Sequence, residues 1–301
     1  MDNKIYAEIR KDYIDLYVTC LEAKNQSYVK YRLSHIVKPF TDGKIMQNQD
    51  LWRLWELYTY EFRDGKMVQS LPYKVMSAGE WECALKIVGT PDFHGGFHGY
   101  EHIIYVSARA DGKPVSTDEQ RDLWTDRFEF TQVSRIVKQG TKDELVAYHT
   151  KRYLFENGEM TINQELSWAT DCEIQFGYMA MLPIRRTHDD TPTGEQISDH
   201  IMINDDPTVY DVTKAGHMTP VSSQKNLASG VHRAKIWGET SGLVAEVSID
   251  GDMRESATFM VQNNETYNKL YFSHAGGGNG YNIQSGEKWH CQSKYKIYMT
   301  K

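Results

Sequence analysis

The feature that most constrains this chain is a period of two in its apolar residues, which recurs along most of its length. Ile14, Leu16, Val18 and Cys20 alternate with Asp15, Tyr17 and Thr19, as in a strand with one buried face. A second alternating run, Tyr28 to Val37, follows the polar Asn25-Gln26-Ser27 and stops at Pro39, so the pair predicts a first hairpin. The run from Glu101 ends in the turn signal Asp111-Gly112. Further on, Asn157-Gly158 sits between two strand patterns and predicts a hairpin with a type I′ turn. Residues 174 to 184 are apolar almost throughout, which predicts a strand buried on both faces.

Two segments read less directly. In residues 51 to 62 a helical stripe of Leu51, Leu54, Trp55 and Tyr58 competes with a tail of strand formers, and a strand is expected. Residues 79 to 88 are the best helical stretch of the N-terminal half. The fold class expected is antiparallel all-β, a sandwich or supersandwich of jelly-roll-like kind, with few short helices. Residues 1–185 would form the main sandwich. The polar stretch from 185 to 230 holds three of the eight prolines. Residues 186–301 are therefore either a continuation of the sandwich or a second, smaller β-module.

Charge and composition narrow the partners. The net charge of −7 is spread along the chain with no basic stripe, so no nucleic acid is expected. No apolar run is long enough for a membrane span, so no membrane insertion is expected. Met1-Asp2-Asn3-Lys4 lacks the apolar core of a signal peptide. Cytosolic synthesis is the expectation, with a virion as one route out of the cell, and with homo-oligomer or virion assembly open. Cys20, Cys83, Cys172 and Cys291 are far apart and read as reduced, buried thiols. Aromatic residues reach 12%, with 19 Tyr and 7 Trp, whose flat faces and polar edges suit sheet surfaces, interfaces and sugar rings alike.

The chemistry concentrates in residues 92 to 102, DFHGGFHGYEH. Gly95, Gly96 and Gly99 let the backbone bend tightly or approach a ligand. His94, His98 and Glu101 are the catalytic candidates, with a histidine moving the proton and Glu101 fixing its tautomer. Phe97 and Tyr100 would stack on a sugar ring. A metal is not expected, because Gly95-Gly96 breaks the helix that an H-x3-H pair would use, and no cofactor is implied. The plainer alternative is a tight turn whose histidines satisfy backbone carbonyls. His149, Lys151 and Tyr153 share one face of a strand and would line a groove for an acidic glycan, or form the wet side of a sheet. Arg185 and Arg186 follow the buried strand, where a guanidinium can hold a carboxylate. His274 precedes Gly276-Gly277-Gly278 in what reads as a flexible tip.

His94-Gly95-Gly96, two residues, then Gly99-Tyr100 is similar to the H-G-G-x-x-G-[FY] stretch of the aldose 1-epimerase (galactose mutarotase) family. That resemblance implies a β-supersandwich and gives His94 the proton-transfer role. Ser285-Gly286-Glu287-Lys288-Trp289 resembles the approach to the closing strand of such folds. The run from Gly79 to Glu101 also resembles bacteriophage tail proteins with a GG-x-HG-x-E element, matched here by Gly95, Gly96, His98, Gly99 and Glu101, with Tyr100 in place of an acidic residue. It implies a protein that binds or degrades host surface polysaccharide. The leading expectation is therefore a phage-tail-like protein that binds a polysaccharide or oligosaccharide. The alternatives are a polysaccharide lyase or sugar epimerase using His94 or His98, and a structural virion protein with no sugar site.

Overall fold

A computed structural model describes residues 4–20, 27–38, 49–64, 66–72, 74–76, 79–188, 194–214, 228–251 and 257–301, apart from the side chains of 276–279. Its strands are β1 (Ile5–Arg10), β2 (Tyr13–Cys20), β3 (Ser27–Lys38), β4 (Gln49–Arg63), β5 (Lys66–Gln69), β6 (Ala84–Ile87), β7 (Glu101–Ala110), β8 (Lys113–Val115), β9 (Arg121–Thr125) and β10 (Arg127–Val137). There follow β11 (Leu145–Glu156), β12 (Glu159–Trp168), β13 (Cys172–Arg185), β14 (His200–Ile203), β15 (Tyr210–Asp211), β16 (Arg233–Trp237), β17 (Leu243–Gly251), β18 (Thr258–Asn263), β19 (Tyr267–Ile283) and β20 (Lys288–Met299). No α-helix occurs among the described residues, and the all-β sandwich expected from the periodicity is what the chain forms.

Two sheets face each other. The larger has 16 strands, in the order β15-β14-β16-β17-β20-β12-β11-β10-β7-β4-β3-β2-β1-β9, with β5 on β4 and β8 on β7. The smaller has four, β18-β19-β13-β6. Among the described residues, strand pairing is antiparallel except for one parallel contact, Asp50 with His102. The large sheet curls, as the right-handed twist of strands accumulates. The Cys20 thiol of β2 thereby lies 3.4 Å from the Ile297 carbonyl oxygen of β20, although six strands separate them in the sheet. Strands on both sides of residue 186 share both sheets, since β20 pairs with β12 and β19 with β13.

The core lies between the sheets. Phe128 and Phe130 of β10, Tyr153 and Phe155 of β11, and Met160 and Ile162 of β12 are fully buried there. Where β13 crosses β20 the approach is so close that a Cβ on Gly177 would stand 2.6 Å from the Trp289 ring. The Asn157-Gly158 hairpin is as expected, with both residues at positive φ and Glu156 opposite Glu159. Residues 51 to 62 lie within strand β4. Asn25 and Gln26 fall outside the described residues.

Residues 79 to 88 are not helical. Ala84–Ile87 is strand β6, paired with β13, and Glu80 to Leu85 are all buried between the sheets. A run buried from Glu80 to Leu85 shows no amphipathic period, so periodicity does not separate strand from helix there. The four cysteines are free thiols; Cys172 is only half-buried, and burial pushes the Cys291 thiol up to about 12.

Candidate functional site

The glycine-rich segment is a loop laid across the space between the two sheets. It enters by a two-way backbone pairing of His94 with Leu85, at 2.8 and 2.9 Å. It then makes one 3₁₀ turn, Gly96–His98, and closes with the Gly95 N–H on the Gly99 carbonyl at 2.9 Å. Gly95 (φ 84°, ψ 159°) and Gly99 (φ 82°, ψ −160°) occupy a backbone region that only glycine adopts readily.

Glu101 anchors this loop from below. Its Oε2 accepts the Gly96 N–H at 2.7 Å. Its Oε1 accepts the Ser134 hydroxyl at 2.5 Å and faces His149 Nδ1 at 3.1 Å and Lys151 Nζ at 3.2 Å. His149 Nε2 faces Gln164 Oε1 at 3.1 Å, and that oxygen also accepts the Cys83 N–H. The Gln164 amide nitrogen donates to the Met179 carbonyl, which fixes the orientation of the amide. Glu101, His149 and Lys151 are all inaccessible to solvent. Burial pushes the Glu101 carboxyl up, but the charges of Lys151 and His149 and the bonds from His149 and Ser134 outweigh it. They hold the group well below the usual carboxylate range.

His94 braces the far side of the loop. It is buried, and its Nε2 accepts the Gln139 N–H at 2.9 Å, so the ring proton sits on Nδ1. Burial pulls its pKa down to about 4. The loop then turns Phe97 and His98 toward solvent, both partly exposed. His98 meets Phe97 edge-on at 5.6 Å and lies 5.1 Å from the Phe93 ring. Burial lowers the His98 pKa. Glu80 and Asp92 oppose that shift, while Lys269 and Arg53 add to it.

The small sheet supplies the opposite wall. Glu80 Oε2 accepts from Lys269 Nζ at 2.9 Å and from the Tyr271 hydroxyl at 3.2 Å. Lys269 lies 4.1 Å over the Tyr267 ring. Tyr271 packs on Tyr178 at 4.9 Å, and Tyr178 stacks on Phe93 at 5.9 Å, which returns the chain of rings to His98. Burial raises the Tyr271 phenol far above its ordinary value, so it stays a proton donor at neutral pH.

Arg53 of β4 lies beneath the loop, its guanidinium 4.6 Å from the Trp55 ring and 5.0 Å from that of Phe97. The side chain is fully buried, yet among the described residues none of its three nitrogens has a hydrogen-bond partner. Burial lowers its pKa to about 10, which leaves it charged at neutral pH. Beside it, Glu82 accepts the Tyr153 hydroxyl and the Leu54 N–H on Oε1, while Oε2 has no partner among the described residues.

Several expected roles change in this setting. Tyr100 is 3% exposed at φ 56° and offers no face to a ring from solvent, so the stacking role expected for it is corrected. His149, Lys151 and Tyr153 do share one face of β11, but that face is the protein interior, not an open groove. Arg186 is buried and donates to the carbonyls of Thr213 and Glu265. Arg185 ends β13 opposite Tyr267 on the rim of the small sheet. His274 is buried within β19 and lies 4.7 Å from the Trp289 ring, so it is not at a flexible tip. The sequence reading missed Arg53, Glu80, Glu82, Lys269 and Tyr271. The available signal was charge inside apolar runs, in LWRLW, GEWEC and NKLYF, where a buried ionisable group needs a reason.

No protein-family model matches the sequence, and no curated protein is significantly similar to it. Among solved structures, a glycoside hydrolase family 97 enzyme from Pseudoalteromonas sp. strain K8 is 10% identical, covering 90% of this chain and 34% of that one, with a TM-score of 0.43. The galactosidase domain of an alpha-galactosidase-sucrose kinase is 10% identical over 97% of this chain and 42% of its own, with a TM-score of 0.48. A candidate aldose 1-epimerase from Klebsiella pneumoniae is 8% identical over 92% and 85% of the two chains, with a TM-score of 0.39. The chain thus spans 34% and 42% of the first two. These are distant likenesses and assign no residue of this site.

Proposed function

We propose that this chain acts on carbohydrate by moving a proton in the cleft between the glycine loop and the small sheet. The observation that carries the reading is one constellation. A partly exposed His98 shares its surroundings with the Glu80–Lys269–Tyr271 cluster and with the Arg53 guanidinium, which has no hydrogen-bond partner among the described residues. A neutral imidazole is the proton acceptor, and a phenol that resists ionisation is the donor. Arg53 and Lys269 stabilise negative charge as it develops on a sugar oxygen. Phe93, Phe97 and Trp55 supply apolar faces for the ring. Glu101 and His94 act as positioning residues for the loop that carries His98. Epimerisation and elimination both require such a pair, and either fits this set.

A second reading, sugar binding without turnover, is favoured by Glu80, whose Oε2 is already engaged by Lys269 and Tyr271. A place in a bacteriophage tail rests on the sequence resemblance at Gly95, Gly96, His98, Gly99 and Glu101. Wild type, His98→Ala and Tyr271→Phe should be incubated with bacterial surface polysaccharides, uronate polymers and free aldoses. Anomeric NMR and the absorbance of unsaturated uronates would follow the products. A loss of about 10²–10⁴-fold in rate in each variant is expected. Turnover that survives both substitutions would sink the acid–base assignment, and binding without turnover in wild type would select the second reading.

A further inference from the structure

The face of β9-β1-β2-β3-β4 on which Arg53 lies is inlaid with side chains in rows across the strands. One row is aromatic: Trp124 stands opposite Tyr6, Tyr6 opposite Tyr17, then Lys30 opposite Tyr17 and Tyr58 opposite Lys30. The rings of Trp124 and Tyr6 are 5.0 Å apart, those of Tyr6 and Tyr17 5.8 Å, and Tyr60 joins Tyr17 at 5.4 Å. Lys30 lies over Tyr58 at 4.9 Å and continues the row. Two residues along each strand runs a second, ionic row of Asp122, Glu8, Asp15, Arg32 and Glu56. Two residues further on β1, β2 and β3, Arg10, Tyr13 and Ser34 lead, past a bulge in β4, to Arg53 itself. The rows thus start at the open edge strand β9 and end on the strand that floors the cleft.

The ionic row mixes repulsion with pairing. Asp122 faces Glu8 and Glu8 faces Asp15, and like charges directly opposite across strands are unfavourable. Arg10 on Asp122 at 2.6 Å and Arg32 on Asp15 at 2.6 Å offset this, leaving carboxylate and guanidinium edges beside the rings. Trp124 is 56% exposed, and Tyr6, Tyr17, Tyr58 and Tyr60 are partly exposed. The strip is one ring wide and flanked by charge, which is too narrow and polar for the apolar centre of a stable protein interface of ~800 Å² per partner. Rings stepping from strand to strand, with centroids 5.0 and 5.8 Å apart and planes tilted by 40° and 41°, instead suit a chain of linked rings with apolar faces and hydroxyl edges.

We infer that this face is a binding track for an extended polysaccharide, running from β9 to the cleft. The ligand class rests on the carbohydrate reading above, but apart from Arg53, where the rows end, the track uses none of the residues assigned to that site. Its test is retention of wild type, Trp124→Ala, Tyr6→Ala and the control Tyr148→Ala on insoluble cellulose, chitin, cross-linked dextran, calcium alginate and calcium pectate. Tyr148 is an exposed aromatic of β11, away from these rows. For any polymer that wild type retains, Trp124→Ala and Tyr6→Ala should each weaken binding about tenfold, equivalent to ~1.4 kcal/mol, with Tyr148→Ala unchanged. Circular dichroism would confirm that the variants fold. Trp124→Ala and Tyr6→Ala binding as wild type would overturn the track and leave the cleft reading standing. Loss of polymer in those variants, alongside undiminished turnover in His98→Ala, would keep the track and remove the cleft assignment. No polymer retained by wild type would overturn the track outright.

Discussion

The inner faces of β10, β11 and β12 change character along their length. Toward the Asn157-Gly158 turn they carry Phe128, Phe130, Tyr153, Phe155, Met160 and Ile162, an apolar core in which packing sets the energetics. Toward the glycine loop, the same alternation delivers Gln132, Ser134, His149, Lys151 and Gln164, all buried, with Ser134, His149 and Lys151 on Glu101 and Gln164 on His149. The register never slips between β11 and β12, so the difference is one of side chains alone. A strand places its side chains on a face without deciding whether that face is oily or ionic. The ionic end exists because it holds a loop that has no side-chain packing of its own at three glycine positions.

The comparison can be broken hardest at Glu101. Glu101→Gln removes the countercharge of Lys151 and His149 in a dry site, and a loss of about 3–5 kcal/mol in urea unfolding is expected. Replacing Glu101, His149 and Lys151 together by Leu, Leu and Met should recover most of that loss, because the buried charges vanish as a set. At the apolar end, Phe130→Ala should cost a similar ~3–5 kcal/mol, but no second truncation rescues it. If the triple variant is no more stable than Glu101→Gln, the ionic end is not the self-contained cluster described above.

The next effect is in pH. Glu101 has a depressed pKa when folded, so its contribution is complete above the unfolded value of about 4.3 and is lost only as pH falls through the lower folded value. His94 acts in a different window. Its folded pKa is about 4 against 6.5 unfolded, so the unfolded chain takes up a proton first as pH falls. Stability should therefore drop between pH 6.5 and 4, by about 3 kcal/mol from this residue. His94→Gln keeps an acceptor for the Gln139 N–H and should flatten that part of the profile. An unchanged slope in His94→Gln would place the pH dependence elsewhere.

The smallest of these effects sharpens the role of the loop itself. Gly95→Ala forces a Cβ into a glycine-only conformation, 3.2 Å from the Cys83 carbonyl oxygen, at a cost of about 1–3 kcal/mol. Because Gly95 accepts the His98 N–H, the imidazole should shift as well, seen as a changed His98 titration by NMR. An unperturbed His98 would mean that the loop tolerates the strain without moving its functional residue.

Alternation, turn chemistry and the lack of helical pattern were enough to determine an antiparallel all-β fold, because those signals are local: Ile14 to Cys20 and the Asn157-Gly158 hairpin depend only on near neighbours. The glycine loop was legible for the same reason, since Gly95 and Gly99 mark backbone that other residues avoid. Which histidine faces outward was not legible. His94 and His98 are four residues apart on one loop, and only the position of Gln139 and of Phe93 makes one a brace and the other a rim residue. His149 and Lys151 were assigned to the right face, but whether that face was interior depended on the small sheet closing over it. Arg53, Glu80 and Lys269 lie on β4, before β6 and on β19, and sequence separation hides any cluster assembled by pairings across the chain. Their charges become informative only when burial removes water from them, and burial is a property of the whole tertiary structure.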